Sequence, residues 1–425
     1  MKHIRNYFIG VNSPIRTENN IYRERVYLNS AATGLPLRNV VNKINKLLPY
    51  YTFYETDSYA GLKLTDEYEH VRNIALDYVK ANKLENTAIF VKSSTYAINL
   101  LAEIMLQNNP NSVVLSAAIN GLPSYLPFKN RFQTDFIGFT ATGNVNLNEL
   151  EQKLISYAGK VKLVTITAAS NITGITPAIY EAAKLAHKYG AKIFVDTTQY
   201  LQHKPFTIKP NSADNHIDFI AFSAHKYYSP YNSGVLIGPA SYLEMFCPPN
   251  TGSYITNFVS TEKIIYKDSP FKYETGYANV LAVIAMGEAL NSLNFIGLNK
   301  IMQYEKKLYD YTINKLQEID RVFIYGLASN EVNIPIISFN VKGSNNRKVA
   351  SDLGYKYGII IGSGNLSSDI YIQYLQGLSP QEAYKLYLKA EYQSVCRVSL
   401  AFYNTKSEID RFVEALKFII KHSGK

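Results

Sequence analysis

Two apolar stretches end on side chains that can do chemistry together. The first, Lys192-Ile193-Phe194-Val195, delivers Asp196 at its carboxyl end and is followed by Thr197-Thr198-Gln199. Open α/β sheets bind their ligands at that edge. About thirty residues on, the stretch Asp218 to Phe222 ends in Ser223-Ala224-His225-Lys226. A carboxylate, a hydroxyl, an imidazole and an amine at strand ends are the set that pyridoxal 5'-phosphate (PLP) chemistry needs. It uses a lysine amine for a Schiff base, a carboxylate that keeps the pyridine nitrogen protonated, and donors for the phosphate. Further back, Lys92-Ser93-Ser94-Thr95 runs into the helical stretch Tyr96-Ala97-Ile98-Asn99-Leu100. Free N–H groups at a helix start hold phosphates, so Ser94 and Thr95 are assigned to that group.

These residues need elements to position them, and the chain supplies an alternation of strand and helix patterns. Ala88–Val91, Ser112–Leu115, Val161–Ile166, Lys192–Val195 and Val235–Ile237 are apolar and rich in β-branched residues, as buried and largely parallel strands are. Between two of them, the stretch from Pro177 to Gly190 starts with proline and stops with glycine, which predicts a crossover helix. After about residue 290 the pattern restarts. Helices are expected over Ile301–Ile319 and Ser407–Ile420, and strands at Ile336–Phe339, Gly358–Ile361 and Val395–Ala401, making a smaller α/β domain.

The bulk composition excludes several classes. A chain of 425 residues, 47% apolar, can bury a large core. Its net charge of +10 is spread along the chain without a dense basic block, so no nucleic-acid partner is expected. Cys247 and Cys396 are far apart and form no Cys/His cluster, so neither a disulfide nor a metal site is expected. No signal-like start and no run of about 18 apolar residues is present. The expectation is a cytoplasmic protein with no membrane partner.

The segments Val195-Asp196-Thr197-Thr198-Gln199 and Phe222-Ser223-Ala224-His225-Lys226 resemble the signatures of the class V aminotransferase superfamily, nearest its cysteine desulfurase and selenocysteine lyase branch. The resemblance extends to Val26–Gly34, to Ser170-Asn171-Ile172-Thr173-Gly174 and to Cys396-Arg397-Val398-Ser399-Leu400. It implies an α/β fold of PLP fold type I, with a large domain on a mostly parallel seven-stranded sheet and a small C-terminal α/β domain. The divisions expected are a 1–25 segment packing near the small domain, a PLP-binding 26–290 and a small 291–425. By the resemblance, Lys226 carries PLP as a Schiff base, Asp196 pairs with the pyridinium nitrogen and Gln199 contacts the ring's phenolic oxygen. Ser223 and His225 bind the phosphate, Asn171 lies beside cofactor and substrate, and Arg397 grips the α-carboxylate of an amino-acid or keto-acid substrate. A homodimer is implied too.

The chain departs from that branch in telling places. Where its desulfurases read Arg-x-Gly-x-x-Cys, this sequence reads Gly362-Ser363-Gly364-Asn365-Leu366-Ser367. A serine hydroxyl does not accept sulfur as a thiolate does. Ala118 to Ser124 holds no counterpart of the ring-stacking histidine, Tyr277 stands where threonine is usual, and Asn29 where aspartate is. Cys396 is read as structural. The leading expectation is therefore a class V aminotransferase. The alternative is a carbon–sulfur or carbon–selenium lyase that forms no enzyme persulfide, and a third is a catalytically silent dimeric homologue.

Overall fold

The computed structural model describes residues 2–140, 143–327, 333–391 and 393–422. Seven strands build its central sheet: β1 (Asn86–Val91), β2 (Val113–Ala117), β3 (Gln133–Ile137), β4 (Val161–Thr167), β5 (Lys192–Asp196), β6 (Phe219–Ser223) and β7 (Gly234–Pro239). They lie in the order β1-β7-β6-β5-β4-β2-β3. From β3 to β6 all neighbours are parallel, whereas β7 runs antiparallel to both β1 and β6. Every residue of β2, β6 and β7 is buried, as a sheet covered on both faces demands. Strand β3 escapes a hydrophobic reading because Gln133-Thr134-Asp135 is polar and sits on the sheet edge.

Helix α1 (Ser94–Asn108) follows β1, and α2 (Ile179–Lys188) is the crossover between β4 and β5. Helix α2 turns Ile179, Ala182, Ala183 and Ala186 inward. Gly190, at φ +73°, supplies the left-handed residue that reverses the chain after it. A long apolar helix, α3 (Val280–Ile296), packs beside the sheet, and α4 (Leu298–Gln317) follows after Gly297. Among the described residues no single helix is long and apolar enough to cross a membrane.

The second body is an antiparallel sheet of β8 (Val322–Ile324), β9 (Ile336–Val341), β10 (Gly362–Gly364) and β11 (Val395–Ser399), in the order β8-β9-β11-β10. Helix α5 (Lys406–His422) covers it, with Ile409, Phe412 and Leu416 packed in one core with Ile337, Phe339 and Val398. The stretch expected as a single strand at Gly358–Ile361 splits in two. Ile359–Ile360 pairs in parallel with Val26–Tyr27, and β10 begins only at Gly362.

The chain crosses between the bodies at places other than residues 25 and 290. Val26 and Leu28 are buried in the second core, and residue 290 falls inside α3. The strut is α4, which buries Leu298 and Ile301 in the first core and Leu308 and Leu316 in the second. The N-terminal segment touches both bodies: Phe8 and Val11 are buried in the first core, and Arg5 meets Glu408 of α5 at 3.0 Å.

Candidate active site

Strands β1, β5 and β6 point their carboxyl ends at one cavity of about 380 Å³. Ser94, Thr95, Asn171, Asp196, Gln199, Ser223, His225, Lys226 and Arg397, all nine of the residues expected from the sequence, lie on its wall. The phosphate end is built where β1 meets α1. Ser93 caps the helix by accepting from the Tyr96 N–H at 3.2 Å. The Ser94 N–H donates to Ser223 Oγ at 2.7 Å, and Ser223 Oγ lies 2.9 Å from Ser94 Oγ. This handshake passes over the start of β7, where a Cβ on Gly234 would lie 2.5 Å from the Ser93 carbonyl carbon. Only glycine fits there. Burial, helped by the neighbouring Lys226 charge, pulls the His225 pKa down to about 4. Its imidazole is therefore neutral at pH 7 and able to donate an N–H to an anion.

Lys226 stands in the short turn Ala224–Tyr227 directly after β6. Its Nζ donates to the carbonyls of Ala31 and Ala32. Burial first, then the Arg397 charge, lower its pKa to about 7, against the pull of Asp196. An amine poised near neutrality is a competent nucleophile toward a carbonyl carbon. Asp196 is held by two donors, Ser124 Oγ at 2.7 Å on Oδ2 and the Thr198 N–H at 3.0 Å on Oδ1. Gln199 donates from Nε2 to the Ala31 carbonyl at 2.9 Å, leaving its Oε1 without a partner.

The opposite wall comes from the second body. Arg397, on β11, is 3% exposed. It donates from Nη1 to the Asn171 carbonyl at 2.9 Å and from Nη2 to Asn29 Oδ1 at 3.1 Å, while Nε has no partner. Among the described residues no carboxylate pairs with it, and burial lowers its pKa to about 10, so it remains a cation. Asn171 is a hub. Its Nδ2 donates to the Leu366 carbonyl at 2.9 Å and its Oδ1 accepts from Ser368 Oγ at 2.7 Å. The Leu122 N–H closes the far side of that loop on the Ser367 carbonyl at 2.8 Å. Leu366 and Ser367 adopt φ of +52° and +57°, so the loop is a folded wall.

A sequence model of the family described as aminotransferase class-V matches residues 26–412. The chain belongs to that family. Similar proteins include a probable cysteine desulfurase of Halalkalibacterium halodurans, 26% identical with 94% of each chain covered. A cysteine desulfurase of Escherichia coli is 28% identical, again with 94% of each chain covered. Among solved structures, the apo cysteine desulfurase of Thermococcus onnurineus superimposes with a TM-score of 0.82 at 25% identity, covering 93% of this chain and 95% of that one.

Members of the class V family use PLP, and the residues present fit it. The near-neutral Lys226 amine, the carboxylate of Asp196 and the hydroxyls of Ser94 and Ser223 face one cavity. Cavity-lining Thr198 and Gln199 also each carry a buried polar atom without a partner. Bound PLP would be held by Lys226 at its carbonyl carbon, by Asp196 at the ring nitrogen and by Ser94, Thr95, Ser223 and His225 at the phosphate.

No thiol takes part in the cavity wall. Ser367 lines it, Cys247 is exposed elsewhere, and Cys396 is buried in the second core with its pKa pushed up to about 12. Gly121 and Pro123, from the 118–124 segment that carries no histidine, line the wall as well. Sequence reasoning missed Ser124, since a serine beside a proline in an unpatterned loop carries no signal, and it missed the carbonyls of Ala31 and Ala32.

Two expected results follow from this geometry. The Lys226 amine must be neutral to attack the PLP aldehyde. The rate of PLP uptake by cofactor-free protein should therefore rise with pH, reach half its maximum near pH 7 and level off above that. A lysine with the ordinary value of about 10.4 would keep gaining up to pH 9; stopped-flow absorbance distinguishes the two. Ser124→Ala removes a hydrogen bond to a charged acceptor, worth about 1.5–3 kcal/mol. A PLP titration of that variant should show affinity weakened about tenfold or more.

Proposed function

We propose that the protein is a PLP-dependent enzyme of α-amino acids that cleaves a carbon–sulfur or carbon–selenium bond at the β position and forms no enzyme-bound persulfide. The observation that carries the reading is Arg397, a buried cation on the cavity wall that, among the described residues, has no acid partner and keeps its Nε–H without a hydrogen bond. A planar guanidinium in that state suits a substrate carboxylate, which binds it bidentately. The similarity to proteins named cysteine desulfurases along nearly the whole chain supports the leaving group.

Bound PLP supplies an electron-withdrawing ring that stabilises negative charge at the substrate Cα. The chain's own residues do the rest. Arg397 fixes the carboxylate, and Asn171 fixes Arg397. Lys226 Nζ takes the proton from Cα, its pKa being matched to that task. Asp196, held by Ser124 and Thr198, keeps a negative charge beside the ring nitrogen. Ser367 offers a hydroxyl where the desulfurase branch offers a thiol, so two routes balance. In one, sulfide or selenide leaves by elimination, and the carbon fragment takes up water and ends as pyruvate and ammonia. In the other, the chalcogen atom passes to an external thiol such as dithiothreitol, and the carbon fragment ends as alanine. That thiol becomes a persulfide or selenosulfide and then releases the chalcogenide as it closes to its own disulfide. We extend the proposal to a homodimer in the cytoplasm, as the family resemblance implies.

Transamination is the second reading, favoured by Ser367 and by the absence of histidine from the wall at Gly121 and Pro123. One incubation separates the two. PLP-loaded protein is given cysteine or selenocysteine with dithiothreitol, and sulfide or selenide is measured beside alanine and pyruvate. Equal amounts of the chalcogenide and of alanine or pyruvate, unchanged in Cys247→Ser, are expected. If neither product forms, yet an amino acid converts the cofactor to its amine form and a keto acid restores it, the lyase reading fails and transamination replaces it.

A further inference from the structure

At the sheet edge opposite the cavity, the amino ends of β5 and β6 gather residues that the chemistry above does not use. Asp218 directly precedes β6 and is almost wholly buried. His187, in the last turn of α2, places Nε2 2.9 Å from Asp218 Oδ2. His216 places Nε2 3.6 Å from Asp218 Oδ1. The two imidazole rings lie face to face, with centroids 4.2 Å apart and planes 21° from parallel. Asp218 also accepts from Lys192 Nζ and from the Ile193 N–H, both at 2.9 Å, and Lys184 pairs with Asp214 nearby at 3.0 Å.

The hydrogen bonds fix how each ring is protonated. His187 Nδ1 faces the Asp214 carbonyl at 2.8 Å and His216 Nδ1 faces the Ala213 carbonyl at 2.6 Å. A carbonyl only accepts, so both Nδ1 atoms carry their proton. Each Nε2 is thereby turned toward a carboxylate oxygen of Asp218, a contact that requires either a second proton on the ring or a cation between the two. A second proton on each ring would set two imidazolium cations face to face, whereas a single cation between the rings and Asp218 leaves both rings neutral. One divalent cation shared by both Nε2 atoms and Asp218 serves all three groups at once.

We propose that His187, His216 and Asp218 form a site for a divalent transition-metal ion of the zinc type. Two neutral imidazoles, one carboxylate and an open position for water make a tetrahedral set, with bonds of about 2.0–2.2 Å. Imidazole ligands favour borderline metals over calcium or magnesium. The Nδ1–H to carbonyl bonds are the outer contacts that orient metal-bound histidines. The imidazoles are 17% and 15% exposed, which leaves an entry route for the ion. Binding requires the rings to open from their stack by a rotation of the part-buried His216. The ion ties the end of α2 and the segment before Asp218 to the start of β6, the strand that carries Lys226 beyond its other end.

The test uses PLP-loaded full-length protein, with Zn2+ as the probe. Equilibrium dialysis with elemental analysis should find one zinc per chain in wild type and in Cys247→Ser. At least a tenfold loss of affinity is expected in His216→Gln and in His187→Gln, two variants that keep a polar side chain. Added zinc should raise the melting temperature of wild type and leave that of His216→Gln unmoved. Zinc bound equally by wild type and both variants, or by none of them, overturns the proposal. The cluster would then be a hydrogen-bonded carboxylate clamp.

Discussion

Lys226→Ala is expected to abolish the visible absorption band that PLP-loaded wild type owes to its lysine imine, and to lower turnover at least about 10³-fold. The amine is both the group that holds the cofactor and the group placed to move the Cα proton, and a positioned acid–base group alone contributes about 10²–10⁴. Its Nζ rests on the Ala31 and Ala32 carbonyls, with its pKa near 7, and among the described residues no second lysine lines the cavity. Borohydride should fix the cofactor to wild type at Lys226, seen by mass spectrometry of the peptide, and should fix none to the variant. A variant that retains the imine band and the reduced adduct would remove Lys226 from the chemistry.

Arg397→Met should move stability and activity in opposite directions. In wild type the guanidinium is buried without an acid partner. Replacing buried charge by an apolar side chain of similar volume is often neutral or stabilising. The melting temperature of cofactor-free protein is therefore expected to equal or exceed that of wild type. With substrate the sign reverses, because two charge-assisted hydrogen bonds of about 1.5–3 kcal/mol each are lost. The kcat/KM for cysteine should fall by at least about 100-fold, mostly through KM. Cysteamine, which has no carboxylate, separates the causes: its weak turnover should be nearly unchanged. An equal loss for both compounds would mean that Arg397 holds the loop through Asn171 and does not read a carboxylate.

The parts of this molecule that could be read in advance are those where a local pattern and a chemical need coincide. Asp196 and Lys226 end apolar strands, and a parallel sheet presents its carboxyl ends together, so their meeting followed from the strands alone. Arg397 came from the family resemblance and not from spacing, since β11 belongs to the second sheet. The antiparallel direction of β7 was invisible because Val235–Ile237 is equally apolar either way round. The split of 358–364 between two sheets was invisible too, as Gly362 and Gly364 carry no pattern. Ser124, Asn29 and the carbonyls under Lys226 depend on loops whose paths are set by tertiary contacts.

The hydrogen bond between Ser94 and Ser223 forms an arch across β7, and Gly234 is the clearance beneath it. Both feet of the arch belong to the anion cradle, and Ser223 is only three residues ahead of Lys226, so one foot is tied along the chain to the reactive amine. A load placed on the cradle is thereby transmitted to the amine without passing through solvent. Filling the clearance, as in Gly234→Ala, lifts the span and displaces both ends together. Pyridoxal lacking its phosphate leaves both feet unloaded, and the amine then meets the aldehyde without the alignment that the anchored cofactor imposes.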